Sequence, residues 1–381
     1  MSVAARKRIA ILADPLDNQK GGVHTYTREL VHGLTRLHEE FEWIIIREKK
    51  DPRMKHVRQI AIPNIRIGLG LAALRLFLVV PLVLRFLKVD AVIEPAHFGP
   101  FNLPDRIKRV TVIHDLTPIL FPQYHRFHSQ WLQNVFLRSI LRRAALIVTN
   151  SRHTARDVAR VYPSTANKVV SILLGYNPQF TSAPEPGVTD HLRLRERFWL
   201  SVGTIEPRKN LVRLLEAYAR FRQEQPDHVA LVMVGQRGWK SALFDQALAE
   251  HPFREDIILT GYVDDAVLNG LYHQAIALVY PSEYEGFGLP VLEAFACGCP
   301  VICSNTSSLP EVGGEVARYV HPERTDELLR QMNELYALDP TDRKVLARRA
   351  LDWASSFGWD KHVRLFHEEL QKLIFEQTNR A

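Results

Sequence analysis

The stretch Ala277-Leu278-Val279-Tyr280-Pro281-Ser282-Glu283-Tyr284-Glu285-Gly286-Phe287-Gly288-Leu289-Pro290-Val291-Leu292-Glu293 reads as a strand, a tight loop and the first turns of a helix. Pro290 suits the opening turn, because its fixed φ is already helical and its missing N–H would have had no partner there. Gly286 and Gly288 let the backbone approach a ligand closely. The free N–H groups at a helix start favour an anion such as a diphosphate, or a polarised sugar hydroxyl. Glu285 then lies in the loop, and Glu293, about one turn into the helix, points back toward the helix start, where a carboxylate can accept two hydrogen bonds from adjacent hydroxyls.

Outward from this stretch the same strand-then-helix alternation recurs. Upstream it predicts strand Trp199–Val202, helix Leu211–Arg222, strand Ala230–Val234, helix Ser241–Glu250 and strand Ile257–Leu259; downstream it predicts a strand over Pro300–Cys303. An earlier series predicts strand Arg8–Ala13, helix Val23–Leu37 and strand Glu42–Ile46. It continues with strands Ala91–Glu94, Val110–His114 and Leu146–Thr149, a short helix from Ser151 and a strand over Val169–Leu173. Such alternation is the βαβ signature of a parallel sheet. Tyr176–Thr189, with Pro178, Pro184, Pro186 and Gly187, interrupts it and reads as an interdomain linker. The expected domains are therefore 1–178 and 190–361, both Rossmann-like, with a C-terminal helix 362–381 crossing back to the first. A chain of 381 residues exceeds the roughly 250–300 that one hydrophobic core supports. Two doubly wound halves imply a cleft where the carboxyl ends of their strands face each other.

Composition narrows the functional classes. With 46% hydrophobic and 24% charged residues the chain is ordinary globular material, which excludes disorder and fibrous architectures. The net charge of +7 favours partners carrying phosphate. The basic residues are spread along the chain without an aromatic-interleaved cluster, which speaks against a nucleic-acid partner. Cys297, Cys299 and Cys303 have no companion ligands for a tetrahedral metal site and read as buried, reduced thiols. The basic Met1–Arg8 runs directly into a short apolar strand with no signal-peptide core, so a cytoplasmic location is expected. Leu69–Leu87 is the most apolar stretch, yet Arg75, Pro81 and Arg85 argue against a spanning helix. It reads either as a packed helix of the first domain or as an interfacial helix whose arginines meet lipid phosphates.

The run Glu285-Gly-Phe-Gly-Leu-Pro-Val-Leu-Glu293-Ala-Phe-Ala-Cys-Gly-Cys-Pro-Val-Ile closely resembles the signature of family-four retaining glycosyltransferases. Without that context, Glu285 and Glu293 would read as solvated carboxylates near a helix start. The resemblance implies the GT-B architecture, with Glu285 on the donor sugar and Glu293 on the nucleotide ribose. It carries Gly286, Phe287, Gly288 and Leu289 to the donor site as well. Val202-Gly203-Thr204-Ile205-Glu206-Pro207-Arg208-Lys209-Asn210 is similar to the family's turn that presents an Arg and a Lys to the donor diphosphate. Lys209 matches the lysine; Thr204 stands at the arginine position, and Arg208 is the candidate substitute. Cations are required there, since breaking the glycosidic bond builds negative charge on the leaving phosphates.

In the first half, Val110–Leu116 looks like the family's strand ending in His-Asp, which implies that His114 lines the donor-sugar pocket; Asp115 either orients the site or caps a turn. Gly21 and Gly22 match the glycine-rich first loop beside the diphosphate, although His24 stands where the family often has a smaller residue. Gly261-Tyr262-Val263-Asp264 resembles the turn whose backbone reads the nucleobase, placing Val263 in the donor site, or else is an ordinary helix cap at Asp264. The wording of these motifs is similar to bacterial mannosyltransferases that use GDP-sugars; UDP-glucose or UDP-GlcNAc stays open as the donor. The resemblance implies retention by front-face attack; the lack of metal-ligand clusters in the sequence predicts transfer without a divalent cation, and no cofactor is expected. The resemblance further implies a lipid-linked or polysaccharide acceptor of surface glycan assembly, which suits a basic protein near an anionic membrane surface.

Overall fold

The computed structural model describes residues 6–19, 21–37, 40–64, 74–96, 99–100, 102–124, 133–181, 183–192, 194, 197–225 and 227–375. They fall into two compact units, the first drawn from Met1–Leu120, Arg126–Gly175 and Trp359–Ala381, the second from Phe121–His125 and Tyr176–Gly358.

The first unit holds strands β1 (Lys7–Leu12), β2 (Phe41–Arg47), β3 (Arg58–Ala61), β4 (Ala91–Glu94), β5 (Lys108–Ile113), β6 (Ala144–Thr149) and β7 (Val169–Ser171) in one parallel sheet of order β3-β2-β1-β4-β5-β6-β7. Its central strands are apolar on both faces, as a sheet covered by helices on each side requires; Ile44, Ile45 and Ile46 are all fully buried. The strand order reverses between β1 and β4, and a crevice opens beyond the strand ends at such a point. The helix Trp359–Phe375 belongs to this unit and packs on the helix Gly22–Leu34. A Cβ on Gly33 would come within 2.3 Å of a Val363 methyl, so the close crossing needs glycine. His362 is buried beside Tyr26 and its Nδ1 donates to the Leu173 carbonyl at 3.0 Å, pinning the helix to the chain beyond β7.

The second unit repeats the plan with β8 (Phe198–Val202), β9 (Ala230–Val234), β10 (Ile257–Gly261), β11 (Leu278–Tyr280), β12 (Val301–Ser304) and β13 (Arg318–Val320), ordered β10-β9-β8-β11-β12-β13 and parallel throughout. Its switch point lies between β8 and β11. A core of Trp199, Leu214, Tyr218, Phe221, Leu231 and Met332, among others, joins the sheet to the helices Leu211–Glu224 and Thr325–Tyr336. Two glycines end adjacent strands back to back. Gly203 and Gly235 have φ of 143° and 144°, and a Cβ on Gly235 would lie 2.0 Å from the Gly203 carbonyl oxygen.

Cys297, Cys299 and Cys303 are free and buried, with the Cys299 thiol pushed up to about 12 by burial. The stretch Leu69–Leu87 lies outside the described residues as far as 73. Beyond that it is helical over Arg75–Val79 and Val80–Phe86. One face packs: Val80, Leu84 and Leu87 join the core of the first unit. Arg75 also faces inward, in a bidentate pair with Asp14 at 2.6 and 2.7 Å, so it is no lipid contact. Among the described residues no helix is long and apolar enough to cross a membrane.

Candidate functional site

Beyond β8 the chain turns through Gly203, Thr204, Ile205 and Glu206 into a short 3-10 turn, Pro207–Lys209, and then the helix Leu211–Glu224. The left-handed Asn210 (φ 56°) makes the junction, its side-chain amide donating to the carbonyls of Pro281 and Pro322 at 3.2 and 2.7 Å. The turn is thereby fastened to the neighbouring strand β11. Lys209 projects across the switch point onto Tyr280, at the end of β11.

Here the two loops meet in a compact charged cluster. Lys209 Nζ donates to Glu285 Oε1 and to the Tyr280 hydroxyl, both at 2.5 Å, and stands 4.7 Å from the centre of the Tyr280 ring. Arg208 bridges two carboxylates, reaching Glu285 Oε2 at 2.7 Å and Glu206 Oε1 at 2.6 Å, and also donates to the Tyr284 carbonyl. Lys209, Glu206 and Glu285 are buried. Burial by itself would raise the Glu285 carboxyl; Arg208 and Lys209 reverse that and hold it down at about 2. Burial pulls the Lys209 ammonium below its usual range, with Glu285 opposing. Glu285 is thus an anion at any physiological pH, and its two oxygens each carry a cation.

The loop bearing Glu285 is itself held. Glu285 N–H donates to Ser307 Oγ at 2.9 Å, while Ser308 Oγ donates to the carbonyls of Glu285 and Phe287, each at 2.8 Å. Gly288 sits at φ 110° at the mouth of the helix Leu289–Ala296, where a Cβ would come within 2.8 Å of a Leu309 methyl. Gly286, Phe287 and Leu289 complete this turn, with Phe287 buried. Glu293, one turn on, is not part of the cluster. It is half-buried, accepts from the Tyr272 hydroxyl at 3.1 Å, and burial pushes its carboxyl up to about 7 against that hydrogen bond. The two glutamates of one motif thus carry opposite electrostatics. Val263 lies past Gly261 (φ 71°) at the end of β10, just ahead of Asp264, which caps the helix Asp265–Gln274 by accepting from Val267 N–H at 2.9 Å.

In the first unit, His114 closes β5. Its Nε2 lies 2.7 Å from the Pro95 carbonyl, which can only accept, so that nitrogen carries the proton. The ring stands edge-on to Tyr26, 4.8 Å between centres. Tyr26 comes from the helix that Gly21 (φ 77°) and Gly22 begin, so His114 and the glycine loop are joined through one aromatic contact. Below them a wholly buried pair, Arg109 and Glu94, 3.0 Å apart, ties β5 to the end of β4, with Thr111 Oγ1 donating to Glu94 at 2.7 Å. Asp115 caps a turn, accepting from Thr117 N–H at 2.9 Å.

Tyr280, Glu206, Tyr284, Tyr272, Ser307 and Ser308 were not singled out in the sequence. Tyr280, Glu206 and Tyr284 lie within the motifs quoted above but carried no role there, whereas Tyr272, Ser307 and Ser308 lie outside them. Among the described residues no three His, Cys, Asp or Glu side chains group as metal ligands.

Two parallel-sheet Rossmann-like units, the second with a Lys-Arg-Glu cluster at its switch point, define a glycosyltransferase of the GT-B fold. Residues 20–180 match the family model Glycosyltransferase Family 4, and residues 190–353 match Glycosyl transferases group 1. The chain is 35% identical to O-antigen chain mannosyltransferase B of Escherichia coli over 271 residues, 69% of this chain and 71% of that one. It is 27% identical to O-antigen chain mannosyltransferase RfbU of Salmonella typhimurium over 58% of this chain and 59% of that protein. The chain belongs to this glycosyltransferase family, on the O-antigen mannosyltransferase side of it. The fold extends to sucrose-phosphate synthase of Thermosynechococcus elongatus (TM-score 0.74, 21% identity, 97% of this chain and 99% of that chain). It extends likewise to Anabaena HepE crystallised with UDP-glucose (TM-score 0.75, 17% identity, 96% and 99%).

Proposed function

We propose that this enzyme transfers mannose, or a related deoxyhexose, from a GDP-linked donor to a glycan or lipid-linked acceptor in surface polysaccharide or lipopolysaccharide synthesis at the cytoplasmic side of the membrane, with retention of anomeric configuration. The observation that carries this is the Lys209–Glu285–Arg208 cluster at the β8/β11 switch point, in a chain akin to an O-antigen chain mannosyltransferase.

In this reading Lys209 and Arg208 meet the donor diphosphate and absorb the charge that develops as the sugar leaves, a contribution that grows toward the transition state. Thr204, Gly21 and Gly22 leave room for the phosphates. Glu285, fixed as an anion, holds the sugar hydroxyls and faces the cationic character that the sugar acquires. Glu293 takes the ribose, Val263 the base through its backbone, and His114 a sugar hydroxyl. Attack comes from the face the leaving phosphate vacates, so catalysis is positioning and electrostatics, with the two side-chain cations in place of a divalent metal.

The test is thermal protection of the purified chain by GDP, UDP, ADP and dTDP, followed by turnover of GDP-mannose with a lipid-linked acceptor and assignment of the anomeric product. Protection by GDP and an α-linked product from the α-linked donor are expected. Protection by UDP alone transfers the reading to a glucosyl or N-acetylglucosaminyl donor, and an inverted product defeats the mechanism.

A further inference from the structure

The cluster of Lys209, Arg208 and Glu285 has a fourth member that the proposed reaction leaves unused. Glu206 lies on the turn beyond β8 with its side chain 5% exposed, and its Oε1 accepts from Arg208 Nη2 at 2.6 Å. The turn fixes its place: Ile205 N–H donates to the Gln236 carbonyl at 2.9 Å, Gly238 N–H donates to the Ile205 carbonyl at 3.0 Å, and Lys209 N–H donates to the Glu206 carbonyl at 3.1 Å. Among the described residues the carboxylate of Glu206 forms its ion pair with Arg208 alone. Its charge reaches Lys209 as well, since burial and Arg208 pull that ammonium down while Glu285 and, more weakly, Glu206 hold it up. A buried carboxylate needs a cation for its own sake, but this one takes its cation from the group assigned to the donor phosphates.

Lys209 and Arg208 thus face two carboxylates, Glu285 and Glu206, and the four side chains together carry no net charge. Of the charged groups beside them, Arg237, on the turn that bridges to Ile205, is paired with Asp245, and Glu283 accepts from the Tyr124 hydroxyl. Without Glu206 the same four positions would hold one positive charge in excess, which favours whichever ligand is the more anionic. A nucleoside diphosphate carries about three negative charges at neutral pH, because the second ionisation of a terminal phosphate falls near 6; a sugar nucleotide, esterified at that phosphate, carries about two. The product of transfer therefore gains more from surplus positive charge than the donor does. Glu285 also subtracts charge, but it grips both cations at once, so its loss loosens the groups it unmasks.

We propose that Glu206 sets the selectivity of this site between donor and product: by balancing Arg208 it keeps the diphosphate-binding cluster neutral, so that the more highly charged nucleoside diphosphate is released once the sugar has left. This rests on the proposed contact of Lys209 and Arg208 with the donor diphosphate. The test is isothermal titration of the purified chain with GDP and UDP, with the matching sugar nucleotides GDP-mannose and UDP-glucose, and with the free nucleosides. Glutamine keeps the shape of Glu206 and an acceptor for Arg208 but removes the charge. Glu206→Gln is therefore expected to bind the nucleoside diphosphate about tenfold more tightly than the parent and the sugar nucleotide about fivefold or less, with the nucleoside unaltered. Glu206→Asp, which keeps the charge, binds like the parent. A residue that only held the turn in shape would weaken binding when altered, the opposite sign. The inference is overturned if the glutamine variant binds the diphosphate no more tightly than the parent, if diphosphate and sugar nucleotide gain equally, or if the nucleoside gains as much. The parent supplies a second measurement that needs no variant: a neutral cluster gives the additional charge no advantage, so a parent that holds the diphosphate more than about tenfold tighter than the sugar nucleotide also overturns it. Lys209→Ala separates these results from failure of the donor reading. Weakened diphosphate binding in Lys209→Ala beside unaltered binding in Glu206→Gln defeats the role of Glu206 alone, whereas unaltered binding in Lys209→Ala means that the cations do not meet the diphosphate, and both fall.

Discussion

Glu293→Gln separates the electrostatic state of Glu293 from its role toward the ribose. The interval between the ordinary value of 4.5 and about 7 corresponds to a cost of up to about 3 kcal/mol for the charged carboxylate in the folded, ligand-free protein. The solvent-facing edge of the side chain makes that figure a ceiling. The sign follows from linkage: below pH 4.5 the group is protonated folded and unfolded, and costs nothing. Between about 4.5 and 7 the unfolded chain ionises while the folded one resists, so stability falls as pH rises; above about 7 the cost is constant. Glutamine keeps the shape and can still accept from Tyr272, yet never ionises. The variant is therefore expected to unfold at about the parent's temperature at pH 4.5 and up to about 10 °C higher at pH 8. Nucleotide binding moves the other way. Two hydroxyls need the anionic carboxylate as acceptor, so affinity of the parent for GDP rises with pH through about 7, and the variant binds roughly 10- to 150-fold more weakly at pH 8, the loss of a charge-assisted pair of hydrogen bonds. Scanning calorimetry from pH 4.5 to 8, with isothermal titration of GDP, measures both. Parallel stability profiles for parent and variant would refute the electrostatic reasoning, and unaltered GDP binding would refute the ribose assignment.

Glu285→Gln is expected to leave GDP binding within a few-fold of the parent while turnover falls by about 100-fold or more, since the lost charge opposes a cationic sugar present only in the transition state; initial rates and titration decide, and abolished GDP binding would contradict it. Transfer should continue in excess chelator, with loss of activity restored by magnesium as the contrary result. Gly235→Ala should destabilise the second unit by about 2–5 kcal/mol, because its Cβ meets the Gly203 carbonyl oxygen at 2.0 Å, whereas Gly261→Ala, with nothing within 4 Å, costs only the left-handed backbone, about 1–2 kcal/mol; chemical denaturation compares them.

The doubly wound plan was legible because parallel strands buried on both faces are unbroken apolar runs: Ala91–Glu94 and Ala230–Val234 stand where their sequences place them. Strand β3, Arg58–Ala61, was invisible for the converse reason: as an edge strand it is short, half-exposed and reads Arg-Gln-Ile-Ala. Strand β13 at the other edge, three residues with an arginine, escaped likewise, as did the helices Thr325–Tyr336 and Pro340–Ala354, which lie beyond the motifs. At the site, Glu285 and Lys209 could be picked from local text, but the contact between them spans 76 residues and depends on β8 lying beside β11. Tyr272 behind Glu293 and the Ser307–Ser308 anchor are likewise products of the fold, with no local pattern of their own. The inward turn of Arg75 toward Asp14 is another: of the two readings of Leu69–Leu87, the one that set its arginines on lipid phosphates does not hold for Arg75.

The helix Trp359–Phe375 packs into the first unit although it follows the whole of the second in the chain. On the ribosome the second unit is therefore complete while the first still lacks the element that covers Phe41, Tyr26 and Gly33. The order of synthesis and the order of completion are reversed, and the amino-terminal unit waits, with apolar surface uncovered, through the translation of nearly two hundred residues, about ten to forty seconds at ordinary elongation rates. A chain stopped at Gly358 would strand the unit made first and spare the one made last, so proteolysis of such a fragment should begin hundreds of residues from its new end.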